Sequence, residues 1–339
     1  PEDRGVWRLT REGKRRLAAP VGGAALLAYC TDLGIAIWGD VRGALQGLSQ
    51  PIALCITSPP YPLAQPRAYG GPRDEQAYID WICSVLEPVV ASLADGGSIA
   101  LNLSPNIFQS RSPARSLYRQ RLLLSLNERF GLELMDELPW ISNKPPGPTY
   151  WALRRRMHLR QSWEAVYWLT NNPHRVSADN RRVLEAHSER HKRVLASGGA
   201  QRSRTNGDGA HKVRAGRSYS SPSEGRIPTN VLQLGTTCPS QREGKRLARE
   251  HGLPEHSAPF PLSLPRFLIE WLTVRGDLVV DPLAGSGTTG IAAEQLGRSW
   301  LTVERFGEYV AGAGLRHRGQ ADSSTWINPD IFRALQEVA

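Results

Sequence analysis

Nine consecutive residues near the far end of this 339-residue chain constrain its folding more than any other stretch: Asp281-Pro282-Leu283-Ala284-Gly285-Ser286-Gly287-Thr288-Thr289. The apolar, β-prone run Leu278-Val279-Val280 precedes them, and a helical pattern from Gly290 to Leu296, closed by Gly297, follows. A strand, a glycine turn and a helix start in this order aim backbone N–H groups and a helix N-terminus at a bound ligand. The arrangement predicts an α/β domain and a ligand with a nucleotide-like part.

The residues around the glycines narrow the ligand. Gly285 to Gly290 also fits the dinucleotide pattern G-x-G-x-x-G, which is weak when it stands alone. No Gly-Lys-Ser/Thr is present, so a P-loop is not supported. Asp281 and Pro282 put a carboxylate beside the turn, which suits a cationic or amino-bearing ligand better than a pyrophosphate. Glu304 ends the next apolar run, Trp300-Leu301-Thr302-Val303, about twenty residues past the glycines, where an acidic residue holds a ribose diol. S-adenosyl-L-methionine fits this set, with its ribose toward Glu304 and its charged methionine end toward Asp281.

A second anchor lies far upstream, at Thr57-Ser58-Pro59-Pro60-Tyr61, directly after the apolar run Ala53-Leu54-Cys55-Ile56. Two consecutive prolines forbid helix, remove two amide donors and leave carbonyls available as acceptors. An aromatic ring follows at once. Methylation of an exocyclic amine needs such a set: acceptors for the amino hydrogens and a flat surface on which the base stacks. Here the sequence resembles the amino-methyltransferases of DNA. Ser-Pro-Pro-Tyr is similar to the catalytic loop of their cytosine-N4 group, whereas adenine-N6 enzymes more often carry Asp or Asn before the prolines. Asp-Pro-x-x-Gly-Ser-Gly-Thr-Thr resembles their cofactor loop, and the order, catalytic loop first, resembles the circularly permuted β group.

The resemblance covers most of residues 35 to 316. It implies a Rossmann-like, S-adenosylmethionine-dependent methyltransferase fold of class α/β, with an inserted, partly irregular DNA-recognition region. It places Asp40 near the cofactor's adenine, although Asp40 also reads as the N-cap of a short helix over Val41 to Leu48. Relatives carry an acidic residue near Asn102 that receives the methionine ammonium; Asn keeps an acceptor without the charge. His256-Ser257-Ala258-Pro259-Phe260-Pro261 matches a stretch that lines the cofactor pocket, with Phe260 among its contacts. Leu283 stands where relatives often stack a Phe on the adenine. Ser58, Pro59, Pro60 and Tyr61 form the catalytic set, while Asp281, Pro282, Leu283, Ala284, Gly285, Ser286, Gly287, Thr288, Thr289 and Glu304 form the cofactor set. In the implied mechanism the target nucleotide leaves the duplex, Tyr61 stacks on its base, and the Ser58 hydroxyl and Pro59 carbonyl accept the amino hydrogens.

Composition agrees. The formal charge of +10 points to a polyanionic partner. Four cysteines (Cys30, Cys55, Cys83, Cys238) lack C-x-x-C spacing, and eight histidines form no cluster in the sequence, so no metal is expected. No signal peptide or membrane-spanning run is recognisable, which makes a reduced, cytoplasmic protein the expectation. Double-stranded DNA is the expected partner and, in a restriction–modification setting, a cognate restriction endonuclease.

In chain order, residues 1–30 read as a basic arm, in which Gly5 to Lys14 resembles the end of a winged-helix domain and equally reads as a solvated tail. Residues 31–142 read as the catalytic half. Within it, Ile35 to Trp38 is a strand, the Pro62 to Arg73 loop carries Arg67 and Tyr69, residues 75–94 and 112–129 are helices, and Asp95-Gly96-Gly97 is a turn before the strand Ser98 to Leu103. Trp81 fits the core face of its helix. Leu132 to Trp140 and Trp163 to Thr170 are strands.

Residues 143–250 read as the recognition region, with Asn143 to Pro148 irregular and a Gly/Ser/Arg-rich stretch at 197–226 that cannot fold alone. Lys144, Arg154, Arg155, Arg156, Arg160, Arg202 and Arg204, together with Arg67, are the expected DNA contacts. His174 to Arg193 reads as one basic helix. Residues 251–318 are the cofactor half and 319–339 a tail. Adenine-N6 methylation, RNA or protein amide methylation, and non-catalytic DNA binding stay open as rival readings.

Overall fold

The computed structural model describes residues 25–45, 48–62, 71–72, 74–141, 150–207, 209, 211–221, 223–235, 238–256, 258–319, 325–329 and 331. The arm before residue 25, Arg67 and Tyr69, Lys144 with the proline-rich stretch around it, and most of the C-terminal tail lie outside the described residues.

The elements run in the order β1 (Ala25–Cys30), β2 (Gly34–Gly39), α1 (Val41–Ala44), β3 (Ile52–Thr57), α2 (Glu75–Ala91), β4 (Leu93–Leu103), α3 (Tyr118–Phe130), β5 (Glu133–Ile141), a π-helical turn Tyr150–Arg154 and β6 (Trp163–Thr170). Then come α4 (Glu189–Ala196), β7 (Arg204–Asn206), β8 (His211–Val213), β9 (Leu232–Gln233), α5 (Pro239–Glu250), α6 (Ser263–Leu272), β10 (Leu278–Asp281), α7 (Thr288–Gln295), β11 (Ser299–Glu304), α8 (Gly307–Arg318) and β12 (Trp326–Ile327). No helix among the described residues is long and apolar enough to cross a membrane.

Among the described residues, ten strands form one sheet in the order β12-β1-β2-β11-β10-β3-β4-β6-β5-β9. The central five, β2, β11, β10, β3 and β4, run parallel. Their sequences are near-continuous apolar runs because both faces are covered. On one face Cys55, Ile99, Leu101, Val280, Leu301 and Val303 pack with Tyr78, Ile82, Leu86 and Val89 of α2 and Leu122 and Leu126 of α3. On the other, α6 packs on β3 and α7.

Direction of crossover positions the site. From β3 the chain crosses through α2 to β4; from β10, the other neighbour of β3, it crosses through α7 to β11. The two crossovers leave in opposite directions, so a crevice opens beyond the carboxyl ends of β3 and β10. The Ser-Pro-Pro-Tyr loop and the glycine turn leave from those two ends.

Several expectations are corrected. Ala25–Cys30 is no part of an arm: it pairs with β2, and β12, in the expected tail, pairs with β1 through Tyr29↔Ile327. The expected turn at Asp95 to Gly97 is an irregularity inside β4, whose register on β3 jumps from Ile52↔Leu93 to Leu54↔Ser98. The helix expected from Ser112 starts at Tyr118, because Phe108 and Arg115 pair as an isolated bridge and Arg115 donates to Pro105 O and Asn106 Oδ1. His174 to Arg193 is not one helix: Asp179 caps a 3-10 turn at Asn180–Val183, and Ser188 caps α4 separately.

The chain divides into two units, Ala178–Thr229 and the remainder. The smaller unit holds α4, the β7-β8 hairpin with Arg204↔Val213, and a Glu185↔Arg226 bridge reinforced by an ion pair of the same two side chains at 2.5 Å. It thus includes ordered structure in the 197–226 stretch that composition marked as unable to fold alone.

Candidate active site

Four oxygens meet beyond the carboxyl end of β3. Pro59 is buried; Ser58 and Tyr61 are half-buried. The Tyr61 ring packs against the main core, which fixes the loop. Ser58 Oγ lies 3.1 Å from Asn102 Oδ1 and 3.3 Å from the Tyr61 hydroxyl. That hydroxyl lies 3.0 Å from Asn102 Oδ1 and 3.0 Å from Glu164 Oε2. Asn102 Nδ2 donates to Ala165 O at 3.1 Å, which sets the amide's orientation. Two hydroxyl protons therefore serve four oxygen–oxygen contacts, and the cluster has acceptor capacity to spare. Burial first, and the Glu164 charge second, push the Tyr61 phenol well above its ordinary range and keep it a donor.

Asn102, read from sequence as a residue toward the cofactor, is thus brought together with the Ser-Pro-Pro-Tyr loop. Glu164 was missed as a functional residue, since in Trp163-Glu164-Ala165-Val166 it reads as one polar position of a strand. Its placement follows from register: β6 runs antiparallel to β4 with Leu103↔Ala165, so the start of β6 sits at the carboxyl edge.

The glycine turn is built on two carboxylates. Asp281, only 1 % exposed, accepts from Leu283 N at 3.2 Å and from the Thr289 hydroxyl at 2.6 Å, joining both ends of the turn. Glu304 accepts from Gly285 N at 2.8 Å and from Phe306 N at 2.8 Å. Burial pushes Asp281 up to about 6 and Glu304 up to about 7, against the hydrogen bonds that favour their charged forms. Two carboxylates so placed stabilise a nearby cation, which suits a sulfonium or ammonium. Gly285 and Gly287 take φ of 52° and 71°, and a Cβ on Gly285 would meet His256 Nε2 at 2.8 Å. His256 therefore covers the turn. Leu283, like Tyr61, packs against the main core, and Phe260 is half-buried just ahead of α6. Pro282, Ala284, Ser286 and Thr288 complete the turn, with Ala284 N donating to Val303 O at 3.0 Å.

Asp40 does cap α1, accepting from Arg42 N at 3.0 Å, and the Arg42 guanidinium beside it holds its carboxyl below the usual range. Arg316 was also missed. Only 2 % exposed, it donates to Ser286 O at 3.1 Å, Thr288 Oγ1 at 2.9 Å and Ser240 O at 3.1 Å, tying the glycine turn to α5.

Of the expected DNA contacts within the described residues, Arg154, Arg155, Arg156, Arg160, Arg202 and Arg204 are all exposed. Among those residues no carboxylate pairs with any of the six, whereas Arg121, Arg129, Arg175 and Arg181 do have carboxylate partners. The segment bearing Arg154 to Arg160 leads directly into β6 and is anchored by His158 Nε2 against Pro113 O at 2.8 Å. It therefore leaves the same sheet edge as the oxygen cluster.

A permuted, doubly wound sheet with an acidic glycine turn on one central strand and Ser-Pro-Pro-Tyr on its neighbour defines the amino-methyltransferase class of α/β proteins. The chain belongs to the DNA methylase family of N6 and N4 methyltransferases, whose family model matches residues 52–314. It is 32 % identical over 293 residues to the Type II methyltransferase M.PvuII of Proteus hauseri, covering 85 % of each chain. A shorter match, 45 % identity over 56 residues or 16 % of each chain, joins it to the Type II methyltransferase M.BglI of Bacillus subtilis. Among solved structures, the cytosine-N4-specific PvuII DNA methyltransferase matches with a TM-score of 0.65 and 27 % identity, over 91 % of this chain and 93 % of that one.

Proposed function

We propose that the protein is a site-specific DNA methyltransferase that moves a methyl group from S-adenosyl-L-methionine to the exocyclic N4 amine of cytosine in duplex DNA. The observation that carries this reading is the acceptor-rich cluster of Ser58, Tyr61, Asn102 and Glu164, which has fewer protons than acceptor sites and is matched by an amine that brings two. Serine at position 58 and the likeness to a cytosine-N4-specific enzyme favour cytosine over adenine.

The residues divide the work. Gly285, Ser286 and Gly287 turn backbone toward the cofactor, Asp281 and Glu304 supply negative charge, and Leu283 and Phe260 give apolar contact. Asp40 and Asn102 stand at the ends of β2 and β4 on either side. When bound, S-adenosylmethionine supplies an electrophilic methyl group on a sulfonium. The target cytosine is rotated out of the helix because its amine is otherwise paired. Tyr61 stacks on the base, Ser58 Oγ and Pro59 O accept the amino hydrogens, and Pro60 keeps the loop rigid; orientation supplies most of the rate. The exposed arginines neutralise phosphates and hold the duplex. The protein acts in the bacterial cytoplasm as the modification partner of a cognate restriction endonuclease.

Unmethylated genomic DNA incubated with the protein and isotope-labelled S-adenosylmethionine, then digested to nucleosides for mass spectrometry, tests this. Label in N4-methylcytosine is expected. Label in N6-methyladenine overturns the choice of base, and no label in DNA, or label in RNA alone, overturns the substrate.

A further inference from the structure

Methylating an amine leaves the nitrogen with one proton too many, and nothing in the Ser-Pro-Pro-Tyr loop itself holds a proton as a base. Among the four clustered oxygens, the Ser58 and Tyr61 hydroxyls already carry protons and the Asn102 amide oxygen does not take one up. Glu164 is the one carboxylate of the cluster, it contacts the Tyr61 hydroxyl at 3.0 Å, and it is half-buried, so it can pass a proton on to solvent.

We infer that Glu164 is the terminal proton acceptor of the reaction, reached from the target amine through the hydroxyls of Ser58 and Tyr61. As the new N–C bond forms and the methyl–sulfur bond of the donor breaks, its electron pair staying on sulfur, one N–H proton passes to Ser58 Oγ, the Ser58 proton passes to the Tyr61 oxygen 3.3 Å away, and the Tyr61 proton passes to Glu164 Oε2. Each hydroxyl ends with one proton as it began, the nitrogen ends neutral and Glu164 ends protonated. The inference rests on the amine-methylation reading above. Asn102, at the position where the resemblance leads one to expect an acid toward the methionine ammonium, brings an amide oxygen and no base to the cluster, so the carboxylate from β6 is the group in it that takes up a proton. Tyr61 and Tyr118 both sense the Glu164 charge.

Glu164→Gln keeps an acceptor for Tyr61 but removes the base. The experiment compares it with the wild-type protein for single-turnover methylation of cytosine in duplex DNA, cofactor affinity by calorimetry, and extrusion of a 2-aminopurine placed at the target position. Expected is a rate roughly 100-fold lower, as loss of a general base gives, with cofactor affinity and extrusion unchanged and with part of the rate restored in Glu164→Asp. Asn102→Asp, which sets a carboxylate 3.1 Å from Ser58 Oγ, is expected to rescue Glu164→Gln. Tyr61→Phe breaks the same route, and the double variant Tyr61→Phe/Glu164→Gln is expected to be no slower than the slower single variant. A Glu164→Gln rate within threefold of wild type overturns the inference. So does loss of cofactor binding and extrusion in step with rate in both Glu164 variants, which marks a purely structural role. If the wild-type protein itself places no methyl group on cytosine N4, the functional reading fails first, and that result is distinct.

Discussion

The Thr289 hydroxyl donates to Asp281 Oδ2 at 2.6 Å, closing the glycine turn between its first and last residues inside the protein. Thr289→Val removes the donor at nearly constant volume and leaves a buried carboxylate oxygen short of a partner. The expected cost is about 1–3 kcal/mol of stability, together with weaker S-adenosylmethionine binding. Denaturant unfolding and calorimetry check this; an unchanged cofactor affinity would mean that the turn keeps its shape without the bond.

The buried Asp281 carboxyl, pushed up to about 6, makes stability depend on pH in a defined sense. The folded chain keeps a proton there that the unfolded chain has already released, so this contribution is complete below about pH 4 and is lost as pH rises through about 6. Glu304, pushed up to about 7, acts in the same direction. His317, buried and held down to about 3, acts in the opposite one: the unfolded chain takes up a proton the folded chain refuses, so stability rises with pH up to about 6.5. The stability difference between Asp281→Asn and wild type should therefore grow in favour of the amide variant between about pH 4 and about pH 7. Thermal unfolding of the ligand-free proteins across that range would refute this by giving parallel curves.

Gly285 combines a left-handed φ of 52° with the close approach of His256. Gly285→Ala should lose on the order of 1 kcal/mol from the backbone alone, with further loss from the clash. Adding His256→Ala should return the clash component but not the backbone one, which equilibrium unfolding of the two single variants and the double variant would separate.

Arg154, Arg155, Arg156 and Arg160 are exposed, and no carboxylate among the described residues pairs with any of them. Replacing two of them with Ala should flatten the logarithmic dependence of DNA affinity on salt by about 0.9 for each phosphate no longer neutralised. Arg129→Ala, whose guanidinium already pairs with Asp80 at 2.5 Å, should leave the slope unchanged. Fluorescence anisotropy at several salt concentrations provides the measurement, and equal slopes for all variants would remove this segment from the interface.

Much of the site was legible in the chain because its two loops carry local chemistry. Prolines exclude helix and glycines permit left-handed backbone wherever they stand, so Ser58 to Tyr61 and Asp281 to Thr289 announce strand ends without any knowledge of their neighbours. The apolar runs before them mark central parallel strands for the same local reason. The outer strands β1 and β12 escaped notice because each is defined by its partner: Tyr29 pairs with Ile327, almost the whole chain away.

Sequence by itself determined which residue types reach the carboxyl edge of the sheet, through the period of its strands and the turns that end them. Tertiary structure alone decided which of them meet. Placing β10 beside β3 brings together loops more than two hundred residues apart, and the register of β6 on β4 carries Glu164 to the Tyr61 hydroxyl. Strand pairing is chosen by long-range packing and backbone hydrogen bonding, which local composition does not encode, and a one-residue slip of β6 would turn Glu164 to the opposite face of the sheet.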